Sequence, residues 1–206
     1  VVCVYWGTKY DTNYVIRLKR MVERNLSVPH RFVCLSDVHI GGVDCIPIFA
    51  KKWSGWWQKV SLFMPGLFPS GARILYFDLD VVITGDIDVL ARQWASQPII
   101  MIYNFGPNRS HAAHNSSVMM WTSGDPRLNA IYDFFSEDVM KKLHGDQCWI
   151  WRVLREDIAN WPGNLIKSYK YDCRVGQISG QTRVVVFHGD PKPHQVGDEF
   201  VRRNWL

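Results

Sequence analysis

Short apolar runs alternate with amphipathic stretches along nearly the whole chain. VVCVYWG (1–7) has no charged interruption and predicts a buried strand closed by Gly7. In DTNYVIRLKRMVERNL (11–26), Val15, Leu18, Met21, Val22 and Leu26 share one helical face, with Arg17, Lys19, Arg20, Glu23 and Arg24 elsewhere. That spacing predicts an amphipathic helix. HRFVCLSD (30–37) and VDCIPIF (43–49) predict the second and third strands. WWQKVSLFM (56–64) looks helical up to the breaker Pro65, and RILYF (73–77) is a strand again. PIIMIYNF (98–105) and SSVMMWT (116–122) predict two more strands. PRLNAIYDFFSEDVMKKL (126–143) predicts one long helix, with Pro126 in its first turn and Leu128, Ile131, Phe135, Val139 and Leu143 at helical spacing. DQCWIWRVLRE (146–156) predicts another helix and TRVVVFHG (182–189) a last strand.

This alternation predicts an α/β fold, a mostly parallel sheet with helices on both faces. A length of 206 residues suits a single domain spanning 1–206, and no repeat, low-complexity tract or linker divides it. In such sheets ligands bind beyond the carboxyl ends of the strands. The residues with chemistry to offer cluster there: Gly7 to Tyr10, Asp78 to Asp80, and His188 to Lys192.

Composition narrows the partners. The formal net charge of +5 favours anionic ligands such as nucleotides, phosphorylated lipids or membrane surfaces. No Lys/Arg run exceeds two residues and no nucleic-acid-binding motif is present, so nucleic acid is not an expected partner. The five cysteines show no metal-binding spacing and mostly sit in apolar runs, which predicts free thiols in a reducing compartment, the cytoplasm. No stretch has the roughly 18 apolar residues of a membrane span and no signal peptide is visible. The chain opens on Val, compatible with a trimmed leader. The charge is compatible with peripheral docking at the inner face of an anionic membrane, although no amphipathic anchor is evident.

RILYFDLDVVITGDID (73–88) carries the main question, because its apolar run ends on two acids, Asp78 and Asp80. Residues i and i+2 of a strand point the same way, so the two carboxylates can converge. So close together they repel unless a cation lies between them. Oxygen ligands at this spacing suit Mg²⁺ or Mn²⁺, above all ions that also bind diphosphate. The bland alternative is a turn cap beside an acid paired with arginine.

Further segments extend the pattern. RILYFDLDVVITGDID resembles the metal-binding segment of the family 8 retaining glycosyltransferases, the group of glycogenin and bacterial lipopolysaccharide galactosyltransferases. WWQKVSLF resembles that family's W-x-K-L helix, HNSSVMMW its F-N-S-G-V strand, HGDQCWIW its G-D-Q helix start, and FHGDPKPH its closing H-x-x-G-x-x-K-P-W. The five matches occur in the family's order over nearly the whole chain.

The resemblance implies a GT-A-like (Rossmann-like) fold and transfer of a hexose, galactose or glucose, from a UDP-sugar to a glycan, lipid or protein hydroxyl with retention. It implies Mn²⁺ (or Mg²⁺) on Asp78 and Asp80, with Leu79 between them at the donor. The family's third ligand stands three residues before its glycine, where this chain has Val186, so His188, directly before Gly189, is the imidazole available. Lys192 would neutralise the leaving diphosphate, and the tryptophan after the family's K-P is His194 here. Lys59 would reach the donor phosphates or sugar, and Asn115 and Ser117 the sugar hydroxyls. Asp146 would bind donor-sugar hydroxyls, with Gln147 near the anomeric carbon. Glutamine is a poor nucleophile, which favours dissociative front-side chemistry. Gly7, Thr8 and Tyr10 would hold the base, Tyr10 stacking on uracil. Each position also has an ordinary structural reading: a snorkelling Lys59, a turn Asn115, an N-capping Asp146, a buried Tyr10.

Two rivals remain. ILYFDLDVVIT (74–84) also fits the first motif of haloacid-dehalogenase-type phosphotransferases, with Asp78 as nucleophile and Asp80 as acid/base. That motif belongs on the first strand of its domain, whereas three predicted strands precede it here, and the downstream paired acids are missing. The tryptophans, ten in all with a cluster in KKWSGWW (51–57), raise a non-catalytic carbohydrate-binding module, which has no use for the acids. That cluster is assigned no function. A glycosidase needs carboxyls about 5–9.5 Å apart, farther than adjacent strand positions allow.

Overall fold

The computed structural model describes residues 1–49, 52–105, 113–173 and 178–206. β1 (Val2–Tyr5) leads into helix α1 (Asn13–Asn25), then β2 (Val33–Ser36) and β3 (Asp44–Pro47). A 3-10 helix, Gly55–Phe63, precedes β4 (Arg73–Phe77), which is followed by β5 (Val81–Ile83) and α2 (Asp88–Ala91). β6 (Ile99–Tyr103) and β7 (His114–Thr122) lead into α3 (Pro126–Asp133), α4 (Glu137–Lys142) and α5 (Asp146–Leu154). The chain continues through β8 (Ile158–Asn160), β9 (Ile166–Ser168), α6 (Tyr169–Asp172), β10 (Val184–Val186) and α7 (Glu199–Asn204).

The main sheet has seven strands in the order β3-β2-β1-β4-β7-β6-β8. All its pairs are parallel except those of β7, which runs antiparallel to both β4 and β6. Its strands are apolar on both faces because both are covered. Leu75 and Phe77 of β4 and Val118 and Met120 of β7 pack with Val15, Leu18, Met21 and Val22 of α1. The intervening Ile74, Tyr76, Met119 and Trp121 pack on the other face with Trp57, Val60, Leu128, Ile131 and Ile150. Alternate residues thus feed opposite layers, as the two-residue period of a strand requires.

Three expectations are modified. WWQKVSLFM forms a 3-10 rather than an α-helix. The long helix over 126–143 is broken at Phe134–Ser136, where extended Ser136 starts α4 ahead of Glu137 and Asp138, a helix-start pattern in the middle of the periodic stretch. The last strand leaves the main sheet: β10 pairs antiparallel with β5 and parallel with β9 in a small second sheet. β5, β8 and β9 have three residues each, too short for an alternating pattern to register. All five cysteines are free thiols. Among the described residues no helix is long and apolar enough to cross a membrane.

Leu18 is fully buried between α1 and the sheet. Leu18→Ala is expected to lower unfolding free energy by about 3 kcal/mol in urea titrations, the cost of lost burial plus a cavity. A loss below about 1 kcal/mol would mean that α1 does not pack as described.

Candidate active site

β4 ends at Phe77 because the chain turns there to feed the second sheet. Asp78 N–H donates to Ser117 O at 2.8 Å, and Phe187 N–H donates to Asp80 O at 3.0 Å. The acids therefore occupy the junction between the two sheets. Since β7 is antiparallel to β4, with Phe77 opposite Val118, its first residues lie beside the carboxyl end of β4. That topology brings Asn115, Ser116 and Ser117 next to Asp78.

Each acid is held by its own lysine. Lys59, from the 3-10 helix, places Nζ 2.8 Å from Asp78 Oδ1 and 3.1 Å from Oδ2, and donates to Ser116 Oγ at 3.1 Å. Its Nζ also lies 3.7 Å from Asp146 Oδ2, at the start of α5. Tyr76 OH donates to Asp78 Oδ1 at 2.5 Å. Lys192, from the loop after β10, bonds Asp80 Oδ2 at 2.5 Å and Phe187 O at 3.0 Å. Tyr10 OH donates to the same Asp80 oxygen at 3.0 Å. The lysines thus take the place of the arginine that the bland reading of the acids expected.

Burial opposes the charge on Lys59, but the carboxylates of Asp146 and Asp78 outweigh it and hold its pKa above the ordinary lysine value. For Asp78, burial pushes upward, and the charge and hydrogen bond of Lys59, with Tyr76 and Ser117, bring it below the usual carboxylate value. Asp146 goes the other way: burial dominates, Lys59 compensates only partly, and its pKa is raised. Its Oδ2 is buried without a hydrogen bond. That oxygen is closed off from solvent, with the Lys59 ammonium 3.7 Å away.

These groups line one cavity of about 840 Å³. Thr8, Tyr10, Lys59, Asp78, Leu79, Asp80, Asn115, Ser117, Asp146, Gln147, His188, Gly189 and Lys192 all face it. Gly7 does not line it. Its φ of 67° lets the chain turn after β1, and its N–H donates to Asp37 Oδ2 at 3.0 Å. Asn115 Oδ1 accepts from Ser117 N–H at 2.9 Å. Tyr10 packs on Tyr14, ring centroids 4.5 Å apart. His188 pairs with Ser168 Oγ through Nε2 at 2.7 Å and stacks on Phe105. Burial, then Lys170, lower the His188 pKa.

The carboxylates of Asp78 and Asp80, with a His188 held toward its neutral, ligating form, are donors that Mn²⁺ or Mg²⁺ accepts. Among the described residues, no three His, Cys, Asp or Glu side chains converge into a ligand cluster. An ion on the two acids therefore fits only with further oxygens from a phosphate ligand or water, the usual arrangement for Mg²⁺.

No protein-family model matches the chain, and no curated protein matches it in sequence. Solved structures do match in shape. The galactosyltransferase LgtC, in complex with donor and acceptor sugar analogues, superposes with a TM-score of 0.65 at 13% identity, over 93% of this chain and 88% of that one. The glycosyltransferase GlyE of Streptococcus pneumoniae gives 0.73 at 12% identity, over 99% of this chain and 60% of its own. Mouse xyloside xylosyltransferase 1 gives 0.54 at 12% identity, over 92% and 98%. The fold is that of the GT-A-like glycosyltransferases.

Several groups at the site of this glycosyltransferase fold escaped the sequence reading. Ser116 holds Lys59 and Tyr76 holds Asp78, yet both sit inside apolar strands with no motif to mark them. His194, marked in the sequence only as the replacement for the family's tryptophan, meets Tyr14 OH through Nδ1 and packs edge-on against its ring, tying the loop that carries Lys192 to α1. Trp56 and His144 also line the cavity.

Lys59→Met leaves two buried carboxylates without their counterion and is expected to cost about 3–5 kcal/mol at pH 8. Without the lysine, the pKa of Asp78 rises above its unfolded value and that of Asp146, already raised, rises further, so the folded variant binds more protons and is stabilised as pH falls. In the native chain the depressed Asp78 acts oppositely, its contribution being lost as pH falls through its folded value. The stability gap should therefore narrow between pH 8 and pH 5 in parallel denaturant titrations. A constant gap would show that Lys59 does not neutralise these acids.

Proposed function

We propose that this protein is a metal-dependent retaining glycosyltransferase that moves a hexose, galactose or glucose, from a UDP-sugar to an acceptor hydroxyl. The observation that carries the reading is the pair of lysine-held acids beside the orphaned Asp146 oxygen, in the strand-end cavity of a glycosyltransferase fold. With all three acids ionised, three carboxylates face two ammonium groups, one negative charge in excess. A divalent cation reverses that balance and makes the cavity attractive to a diphosphate.

Thr8 and Tyr10 line the end of the cavity that belongs to the loop after β1, where they hold the uridine. Asp78 and Asp80 would hold Mn²⁺ or Mg²⁺, with His188 turning from Ser168 to join them, and the bound ion would supply charge that stabilises the leaving diphosphate. Lys192 exchanges Asp80 for a diphosphate oxygen, so its ammonium follows the developing charge. Asp146 accepts from a sugar hydroxyl, while Lys59 keeps that carboxylate in place; Asn115 and Ser117 orient further hydroxyls. As the bond between the anomeric carbon and the diphosphate breaks, Gln147 steadies the oxocarbenium-like charge. The acceptor oxygen then bonds to the same face, and its proton passes to a diphosphate oxygen. A structure in the LgtC series carries a glutamine-to-glutamate change in its active site, which supports a functional glutamine in this fold.

The phosphotransferase alternative is not favoured. Asp78 lies after the fourth strand in chain order, whereas the phosphotransferase motif belongs on the first. A glycan, lipid or protein acceptor fits the reading, with peripheral membrane contact from the positive charge.

The test is UDP release from a panel of UDP-sugars with Mn²⁺, followed by NMR of the product linkage. Lys192→Ala and Asp80→Asn are each expected to lower kcat about 10²–10³-fold, the usual cost of losing a preorganised charge at a leaving group. An inverted product, or a native protein that consumes no donor, contradicts the proposal. Phosphatase activity with Mg²⁺ that vanishes in Asp78→Asn would instead establish the rival.

A further inference from the structure

Three tryptophans stand within five residues, Trp53, Trp56 and Trp57, and they are used differently. Lys51, just before them, lies outside the described residues. Trp53 and Trp57 pack on Phe135, at centroid separations of 4.7 and 5.2 Å, and belong to the core. Trp56 is 53% exposed and lines the cavity. A large indole left half in water at a ligand-sized cavity is an unspent apolar surface, and aromatic groups with a few convergent polar ones characterise ligand sites.

The helix type explains the placement. In a 3-10 helix residues i and i+3 eclipse, so Trp56 stands on the face of Lys59, one turn of about 6 Å nearer the helix start. Lys59 meets Asp78 and Asp146 in the cavity floor. Trp56 continues that wall outward. It meets the start of α5 at Gly145, where a Cβ would come within 3.3 Å of indole Nε1. Gly145 has an extended backbone that any residue adopts, so its lack of a side chain matters here for room. The indole edge is thereby seated against the residue that precedes Asp146 and Gln147.

We propose that Trp56 is the acceptor platform: a pyranose ring lays its apolar C–H face on the indole and presents a hydroxyl toward the anomeric carbon beside Gln147. The inference rests on the glycosyltransferase reading and narrows it, because it makes the acceptor a carbohydrate. The cavity then runs from uridine, through the diphosphate at the lysine-held acids and the hexose at Asp146, to the acceptor at Trp56.

The test uses the full chain with UDP and Mn²⁺ and reads saturation-transfer NMR to methyl glucosides and galactosides, lactose, maltose and cellobiose. At least one is expected to receive saturation on ring C–H protons. Trp56→Ala should abolish it or weaken affinity about tenfold, and Trp56→Phe should restore part of it. UDP affinity by calorimetry should stay within twofold in both variants. Normal UDP binding by the native protein with no sugar of the panel bound, or unchanged sugar binding in Trp56→Ala, overturns the acceptor assignment while the transferase reading stands. Loss of UDP affinity in Trp56→Ala places the indole at the nucleotide and overturns it too. A native protein that binds neither UDP nor sugar removes the transferase reading and this inference together.

Discussion

Two ammonium–carboxylate pairs at the end of β4 are the constraint around which the site is arranged. Acids in a buried position are costly, and a lysine repays that cost only when its geometry is good and its remaining protons are satisfied. Lys59 meets this condition through Asp78, Ser116 and Asp146, and Lys192 through Asp80 and the Phe187 carbonyl. The lysines come from opposite directions, one from the 3-10 helix over one face of the main sheet, the other from the loop behind the second sheet. Each pair therefore fixes an element as well as a charge.

The strand order turns that local balance into a cavity. β4 is central in the main sheet, and its chain leaves through β5 into the second sheet, so the acids are the hinge between two layers. β7, which runs antiparallel to both its neighbours in the main sheet, delivers its polar start rather than its end to the same place. Gly145 then opens α5 with Asp146, the one acid whose pKa is raised and whose Oδ2 has no hydrogen bond. A site with two satisfied acids and one partly satisfied acid is electrostatically primed for a ligand bringing its own cation and donors.

Much of the fold was legible because both faces of the sheet are buried. Continuous apolar runs at 1–7, 73–77, 98–105 and 116–122 correspond to β1, β4, β6 and β7, and the one-sided periodicity of 11–26 to α1. The short strands β5, β8 and β9 were not legible, since three residues carry no period. The break at Ser136 was hidden because Phe135 stays buried, keeping the apolar spacing of one helix while the backbone makes two. At the site, Asp78 and Asp80 stood out as acids at a strand end, whereas Lys59, Asp146 and Lys192 were marked by the family resemblance. Tyr76 and Ser116 did not, because a hydroxyl inside an apolar strand looks like packing until its partner is known. The Tyr14–His194 contact joins residues 180 apart and left no local trace.

The central claim is that the lysine-held acids bind a cation and a nucleoside diphosphate together. Titration calorimetry of UDP, with and without Mn²⁺, on the native chain and on Asp80→Asn tests it most directly. The account predicts micromolar binding that requires both the metal and Asp80. UDP binding of equal strength without Mn²⁺ and in Asp80→Asn, or no binding under any condition, would contradict it.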